Sequence, residues 1–522
     1  MYVLNSYLFD KEGIEELKKL EPFPSVYIIE NGSEIYIGET VHPANRLKDH
    51  LRDKKVAKPA NMHIISNFDF NVSVILDLES YLIQLVKAEG KYKMVNEDKL
   101  GTRHNYYMKN SYQERFSNIW NNLIEIGIGH NAEEKIKNSQ IYEFSPIKSL
   151  TSEQQYIVDE ILKHIKEDTY KVFVVQGDPG SGKTILANYL LKELNDQGKD
   201  AALVFSMTSI RKTVQEVFKS VLRIDDKVIG PADLRKRKYE VLIVDEAHRL
   251  KQRVNLTPGE YSAYDKTNIR LGLKKESTQF DWIINQSKNV ILFFDEHQTV
   301  RPSDVPISKI KNNATKHYKL SSQMRIEDAN EYVDFVNDLF FNNLKESYNI
   351  NEYDLKYFEN FDDFIENHKN LESTFGLSRL VAGYAWEWIS KVDETKFDIC
   401  IGSHNLKWNS VNNDWVNSEN AENEVGCIHT VQGYDLNYVN LIIGRDISYD
   451  NNSKSIQISK ENYKDRAGKR TISEDSVLKQ YIQNIYITLM TRGIKGANIY
   501  IVDENFRIYF KNALNAINKD KI

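Results

Sequence analysis

The eight residues from Gly177 to Thr184, GDPGSGKT, constrain this 522-residue chain more than any other stretch. They follow an apolar, β-branched run, KVFVVQG, and open a helical pattern, so a glycine-rich turn joins a strand to a helix N-terminus. In that setting Gly177, Pro179, Gly180, Ser181 and Gly182 form a loop whose backbone N–H groups turn inward around phosphates. Lys183 balances the β/γ charge, and the Thr184 hydroxyl can ligate Mg²⁺. Such a unit belongs to a parallel sheet. The runs AALVFS, VLIVDE and NVILFFDE repeat the same buried-strand composition between helical segments. An ATP-binding α/β domain is therefore expected from Leu150 to about residue 320.

VLIVDEAH ends a buried strand in two adjacent carboxylates at the expected carboxyl edge of that sheet. Asp245 there would hold Mg²⁺, and Glu246 would orient and deprotonate an attacking water. The next strand ends FFDEHQ, from which Gln298 could reach the γ-phosphate. A helical, aromatic stretch follows, and strand signals then return at FDICIG, YVNLIIG and ANIYIVD, so a second α/β lobe is expected over 321–522 with a helical insertion. Three motifs there matter: LSSQMR with Arg325, IHTVQG with Gln432 and Gly433, and ITLMTRG with Arg492. Two arginines supplied from a second lobe act as fingers on transition-state charge, an effect worth about 10³ to 10⁵ in rate.

Taken together, LTSEQ, GDPGSGKT, VDEAHR, FFDEHQ, QMR, SRLVAGYAW, GCIHTVQGYDLNYVNLIIG and LMTRGIKG make residues 150 to about 505 resemble a superfamily 1 helicase core. More narrowly, they resemble a bacterial family grouped with the Schlafen-type helicase domains. The resemblance implies two RecA-like lobes, an adenine-reading role for Gln154 and finger roles for Arg325 and Arg492. Met324 departs from it, standing where many such helicases place an aromatic residue on adenine.

SVYIIENGSEIYIGET contains two strand runs around Asn31-Gly32, a two-residue hairpin signal that would pair Tyr27 with Tyr36 and set both phenols on one face. HPANRLKDHL reads as a helix with Pro43 in its first turn and with Arg46 and His50 at i,i+4. Glu79 is expected to start a helix, LESYLIQLVKAE. These residues resemble the GIY-YIG endonuclease family over roughly 24–100, with VYI and YIG as its two triplets and Val26 and Ile28 as departures around the first tyrosine. The resemblance implies Tyr27 and Tyr36 as site tyrosines and Arg46 as the phosphate-binding arginine; the i,i+4 spacing adds His50 beside it as a further catalytic candidate. The resemblance further implies Glu79 as ligand of Mg²⁺, with Mn²⁺ the alternative, and Asn96 as a supporting polar residue. The basic run RLKDHLRDKKVAK next to such a site is expected to grip phosphates.

The fold class expected is α/β, a small α+β GIY-YIG-like nuclease domain (1–105), a helical linker (106–149) and the two RecA-like lobes. No apolar run approaches the about 20 residues of a membrane helix, no signal-peptide pattern opens the chain, and Cys400 and Cys427 are the only cysteines. A cytoplasmic location is therefore expected. The net charge of -6 argues against a protein that coats polyanions nonspecifically while leaving local basic grooves open. The reading is a nucleic-acid-dependent ATPase fused to an endonuclease that cleaves DNA, in restriction or anti-phage defence. The alternative is a motor whose N-terminal domain only binds nucleic acid or cuts RNA. A homo-oligomer or an operon-encoded partner is compatible with either; a membrane is not an expected partner.

Overall fold

A computed structural model of the chain describes residues 2–18, 23–53, 56–95, 106–144, 150–167, 171–219, 224–321, 329–350 and 353–517. It divides into two compact units, one ending at Gln155 and one beginning at Tyr156.

The first unit comprises β1 (Val3–Leu8), α1 (Lys11–Leu17), β2 (Ser25–Glu30), β3 (Glu34–Thr40), α2 (Pro43–Asp53), β4 (Asn61–Ser66), α3 (Val72–Glu89), β5 (Lys93–Met94), α4 (Lys109–Glu125), α5 (Glu133–Lys137) and α6 (Gln140–Glu143). Its sheet runs β1-β4-β2-β3-β5, with only β3 and β5 parallel. The period-2 alternation of β2 divides two cores. Val26 and Ile28 face α3 and α4, whereas Tyr27 and Ile29 face Ile14, Leu47 and Ile64 on the other side.

Three expectations need correction in this unit. The segment expected as a linker is not a spacer, because Phe116, Ile119, Trp120 and Leu123 of α4 join the core behind α3, and an apolar face of that size is stable only when packed. The hairpin pairs Tyr27 with Gly38 and Ile29 with Tyr36, so its central residues are Gly32 and Ser33 instead of Asn31 and Gly32. Asn31 instead uses its side-chain oxygen to accept the Ser33 and Glu34 N–H groups, and Gly32 alone takes positive φ, +84°, the pattern of a II′ turn rather than I′. Tyr27 and Tyr36 are thus diagonal neighbours that still share a face. Finally, α3 starts at Val72, because Asn71 caps it by accepting the Val74 N–H, which puts Glu79 well inside the helix instead of at its start.

The boundary between units falls inside α7 (Ser152–Ile165), whose start is a capping box: Thr151 accepts the Gln154 N–H and Gln154 Oε1 accepts the Thr151 N–H. The second unit continues with β6 (Lys171–Gly177), α8 (Lys183–Asp196), β7 (Ala201–Phe205), α9 (Thr208–Val217), β8 (Val228–Ile229), β9 (Tyr239–Asp245), α10 (Pro258–Arg270), α11 (Gln279–Gln286), β10 (Ser287–Phe294), α12 (Ile307–Asn312) and β11 (Lys316–Leu320). These strands form one parallel sheet, β11-β6-β10-β9-β7-β8.

The second lobe comprises α13 (Ala329–Phe341), β12 (Asp354–Phe358), α14 (Phe361–Phe375), β13 (Ser378–Ala382), β14 (Ile399–Ile401), β15 (His404–Leu406), β16 (Val425–Gly426), α15 (Ile428–Val431), β17 (Leu436–Ile443), β18 (Ile447–Asp450), β19 (Ser455–Ile458), α16 (Arg466–Lys469), α17 (Asp475–Met490), β20 (Gly493–Ile501) and α18 (Glu504–Leu514). Its parallel sheet is β12-β20-β17-β13-β16. FDICIG is not one of its strands: Gly402, at φ +57°, turns the chain so that β14 pairs antiparallel with β15. No helix among the described residues is long and apolar enough to cross a membrane.

Candidate active sites

The carboxyl ends of β6, β9 and β10 bring the ATP-site residues together. Gly180 and Gly182 take φ of +86° and +79°, a conformation that lets the loop turn inward at little cost only because neither carries a Cβ. Ser181 Oγ donates to the Asp178 carbonyl, which braces the loop, and Pro179 sits half-buried in it. Lys183 Nζ donates to the carbonyls of Gly177 (2.6 Å) and Asp178 (2.8 Å) and lies 3.9 Å from Asp295 Oδ2. The loop thus holds its own lysine where phosphate oxygens would otherwise take the protons. Thr184 Oγ1 donates to Asp245 Oδ2 at 2.7 Å, so the two groups that could hold Mg²⁺ are already adjacent.

Asp245 and Glu246 are buried side by side. Burial and the neighbouring Glu246 charge push Asp245 up, while His248 and Lys183 hold Glu246 down against the same burial. A buried acid pair of this kind fits a divalent cation. Glu246 adopts φ +52°, unusual for a residue with a Cβ and a place where the fold fixes a functional group against its local preference. His248 Nδ1 accepts the Asp295 N–H, which leaves Nε2 as the protonated nitrogen, and that atom lies 2.8 Å from Glu246 Oε2. His248 and Asp295 were not singled out in the sequence, although both lie inside its motifs.

Gln298 is the meeting point of the two lobes. Its Nε2 donates to Asp295 Oδ2 at 2.8 Å, and its Oε1 accepts Arg492 Nη2 at 2.8 Å. Gln432 Nε2 approaches the same Oε1 at 3.4 Å. A relay thus runs from Lys183 through Asp295 and Gln298 to Arg492, whose charge also reaches Glu246. Gly433, expected at the nucleotide, takes φ +88°, and a Cβ there would lie 2.0 Å from Ile210 Cδ1, so its bareness lets the second lobe approach α9. Gln154 is buried within its capping box. Arg325, Met324 and Asn96 lie outside the described residues.

In the first unit Tyr27 and Tyr36 stack with ring centroids 6.0 Å apart and 13° between planes, and the His50 ring lies 4.7 Å from Tyr36. Tyr27 hydroxyl and His50 Nε2 are 2.7 Å apart and buried. Gly38 is required opposite Tyr27, because a Cβ there would lie 2.3 Å from the phenol oxygen. Burial, then the neighbouring Tyr36, pushes the Tyr27 phenol far above its ordinary value, while the hydrogen-bonded Arg46 opposes this. Arg46 itself is exposed on α2 and is raised by that contact. Glu79 is pushed up to about 7 by burial and by Glu39, whose N–H donates to its carboxylate. Glu39 is raised by burial and faces Arg46. A half-buried carboxylate next to another acid fits a divalent ion that keeps most of its waters. Among the described residues no cluster of three or more His, Cys, Asp or Glu could hold a metal. Glu39 was missed in the sequence; its only signal was an acid directly after YIG.

Residues 170–503 match the family described as Schlafen group 3, DNA/RNA helicase domain. The chain belongs to that family. Residues 23–93 match the GIY-YIG catalytic domain. The helicase core is thus fused to a GIY-YIG domain in one chain, an ATP-driven helicase with an endonuclease. An uncharacterized protein of Saccharomyces cerevisiae is 23% identical over 69% of this chain and 90% of its own length. The signal recognition particle receptor FtsY of Metamycoplasma hominis is 24% identical over 34% of this chain and 58% of its own. Among solved structures, the Pif1 helicase of Candida albicans aligns over 70% of this chain and 99% of its own, with 11% identity and a TM-score of 0.29.

Proposed function

We propose that the helicase is a nucleic-acid-stimulated motor that feeds DNA to a metal-dependent nuclease in the same chain, and that it serves restriction or anti-phage defence. The observation that carries the motor is the hydrogen bond from Arg492 to Gln298, because it ties a second-lobe cation to the first-lobe relay ending at Lys183. ATP entering the loop would draw Lys183 and Arg492 onto its phosphates, and loss of the γ-phosphate would return both to these partners. The lobes would then close and open with each turnover. Glu246, steered by His248, takes the proton of the attacking water. Mg²⁺, held by Thr184 and Asp245, would supply charge neutralisation on the β/γ oxygens.

At the nuclease pocket, Tyr27 keeps its proton at neutral pH, so it acts as a relay instead of a standing base. A proton from the attacking water passes to the phenol oxygen as the phenol passes its own to His50 Nε2. Arg46 neutralises charge on the scissile phosphate, and Glu79, with Glu39 beside it, would hold a divalent ion that adds to that neutralisation. Arg325 is the second finger, and Gln154 reads adenine. The nuclease domain spans 1–105, and the two lobes span 150–320 and 321–522. DNA is the proposed substrate because the GIY-YIG resemblance implies it. The deciding experiment assays cleavage of single-stranded, duplex and forked DNA and of RNA, with and without ATP and with Mg²⁺ or Mn²⁺. Cutting of DNA is expected; cutting of RNA alone would move the substrate, and no cutting under any metal would leave the N-terminal unit a binding module.

A further inference from the structure

Between β19 and α17 the chain runs through Ser459 to Ile472 as a strap that neither sheet contains. It is pinned at four places. The Ser459 N–H donates to the Asp446 carbonyl (2.9 Å) and the Lys464 N–H to the Tyr384 carbonyl (2.7 Å). Asn255 of the first lobe donates to Thr471 Oγ1 at 2.8 Å. Asp465 lies 3.5 Å from His429 Nε2 and 4.0 Å from Arg301. The acid at the centre of the strap is therefore turned inward, and its Oδ1 also caps α16 by accepting the Gly468 N–H. The strap's other acid, Glu461, is exposed near its start.

The cations divide differently. Lys460 and Lys469 are engaged, Lys469 Nζ donating to the Lys460 carbonyl at 2.6 Å and Lys460 lying 3.7 Å from Asp475 at the start of α17. Among the described residues no ion pair or hydrogen bond engages the side chains of Lys464, Arg466 or Arg470, of which Arg466 and Arg470 are exposed. Burial, and then the neighbouring charges of Lys464, Lys460 and Arg466, hold Lys469 below its ordinary value. In a chain of net charge -6, a pinned element with unpaired cations at Lys464, Arg466 and Arg470 and its central acid turned inward favours an anion.

We infer that Lys464, Arg466 and Arg470 form a phosphate grip for single-stranded nucleic acid on the second lobe. The inference rests on the nucleic-acid-stimulated ATPase proposed above. Position favours this ligand over an acidic peptide. His429, which the strap holds, is three residues from Gln432, and Arg301 is three residues from Gln298, so strand contact is registered at the relay that closes the lobes.

The test compares the full-length wild type with a Lys464→Gln, Arg466→Gln, Arg470→Gln variant, using oligothymidylate and oligouridylate of about 20 nucleotides as probes. ATPase stimulation and fluorescence anisotropy are read across a salt series. Loss of three phosphate contacts should lower the log–log salt slope of binding by about 2 and raise the concentration giving half-maximal stimulation at least about tenfold. That result with either polymer supports the grip and identifies the sugar it prefers. A stimulated wild type with an unchanged slope and half-maximal concentration in the variant would overturn the grip alone. A wild type that neither binds nor responds to either polymer would overturn the motor reading and the grip together.

Discussion

The ATP cleft and the nuclease pocket each place a buried carboxylate among cations and proton donors, yet they are finished to different degrees. Among the described residues of the cleft, Lys183 has loop carbonyls, Asp245 has Thr184, Glu246 has His248 and Arg492 has Gln298. On the reading proposed above, ATP would displace these bonds, and the displacement would move the lobes. In the pocket the aromatic and histidine geometry is set, whereas Arg46 is exposed and Glu79 faces a second acid. On the reading proposed above, a scissile phosphate and a divalent ion would supply the missing countercharge there. A site that has to signal stores its bonds internally; a site that only has to cut can wait with its charges unmatched.

The sharpest break of this comparison is at the cleft. Lys183→Ala and Glu246→Gln should each lower ATP turnover at least about 10³-fold, the first with lost ATP affinity and the second with ATP still bound. Turnover within about tenfold of wild type in either would remove these roles. Glu79→Ala should abolish cutting and leave stimulated ATPase within about twofold, while Lys183→Ala keeps ATP-independent nicking, because the two sites share no group. Full cutting by the Glu79 variant would end the nuclease assignment.

Arg492→Ala, and Arg325→Ala with it, should depress kcat about 10²- to 10³-fold with nucleotide affinity little changed, since a finger acts on charge that develops only in the transition state. An unchanged kcat at saturating ATP would return that arginine to an ordinary structural part. Tyr27→Phe removes the relay hydroxyl but keeps the ring over Gly38, so cutting should fall about 10²-fold with folding intact; retained cutting would shift the relay to Tyr36.

The smallest effect is on stability. Burial and Glu39 lift Glu79 to about 7 in the folded protein against 4.5 for an ordinary glutamate. Between those values the folded chain holds a proton that the unfolded chain has released, so stability falls as pH rises through that window, and the full cost is present above 7. Glu79→Gln removes the cost. Urea unfolding without divalent metal should show the variant more stable than wild type at pH 8 by about 1 to 3 kcal/mol, with the gain vanishing near pH 4, since a partly wetted group delivers less than full linkage. An equal gain at both pH values would assign it to packing.

Motifs that act through the local backbone are legible in the sequence itself. GDPGSGKT specifies strand, loop and helix because its glycines supply the positive φ values, and DE at a strand end specifies its own edge position. Pro43 and the i,i+4 spacing likewise place Arg46 and His50 on one helix. The hairpin is legible as a hairpin but not in register, because both turn choices satisfy the same local sequence and only the fit of Tyr27 over Gly38 separates them.

Neighbours within a few residues therefore dictate the chemistry available at each short motif and the strand or helix that carries it. Which distant groups complete one another is a matter of packing between elements. Glu39 beside Glu79, His248 turned to Glu246 by the Asp295 backbone, Arg492 on Gln298 across 194 positions, and Asp465 turned towards His429 and Arg301 all depend on it. Residue spacing along a chain carries no record of such approaches, because burial of the apolar faces, and not the polar contact itself, brings the elements together.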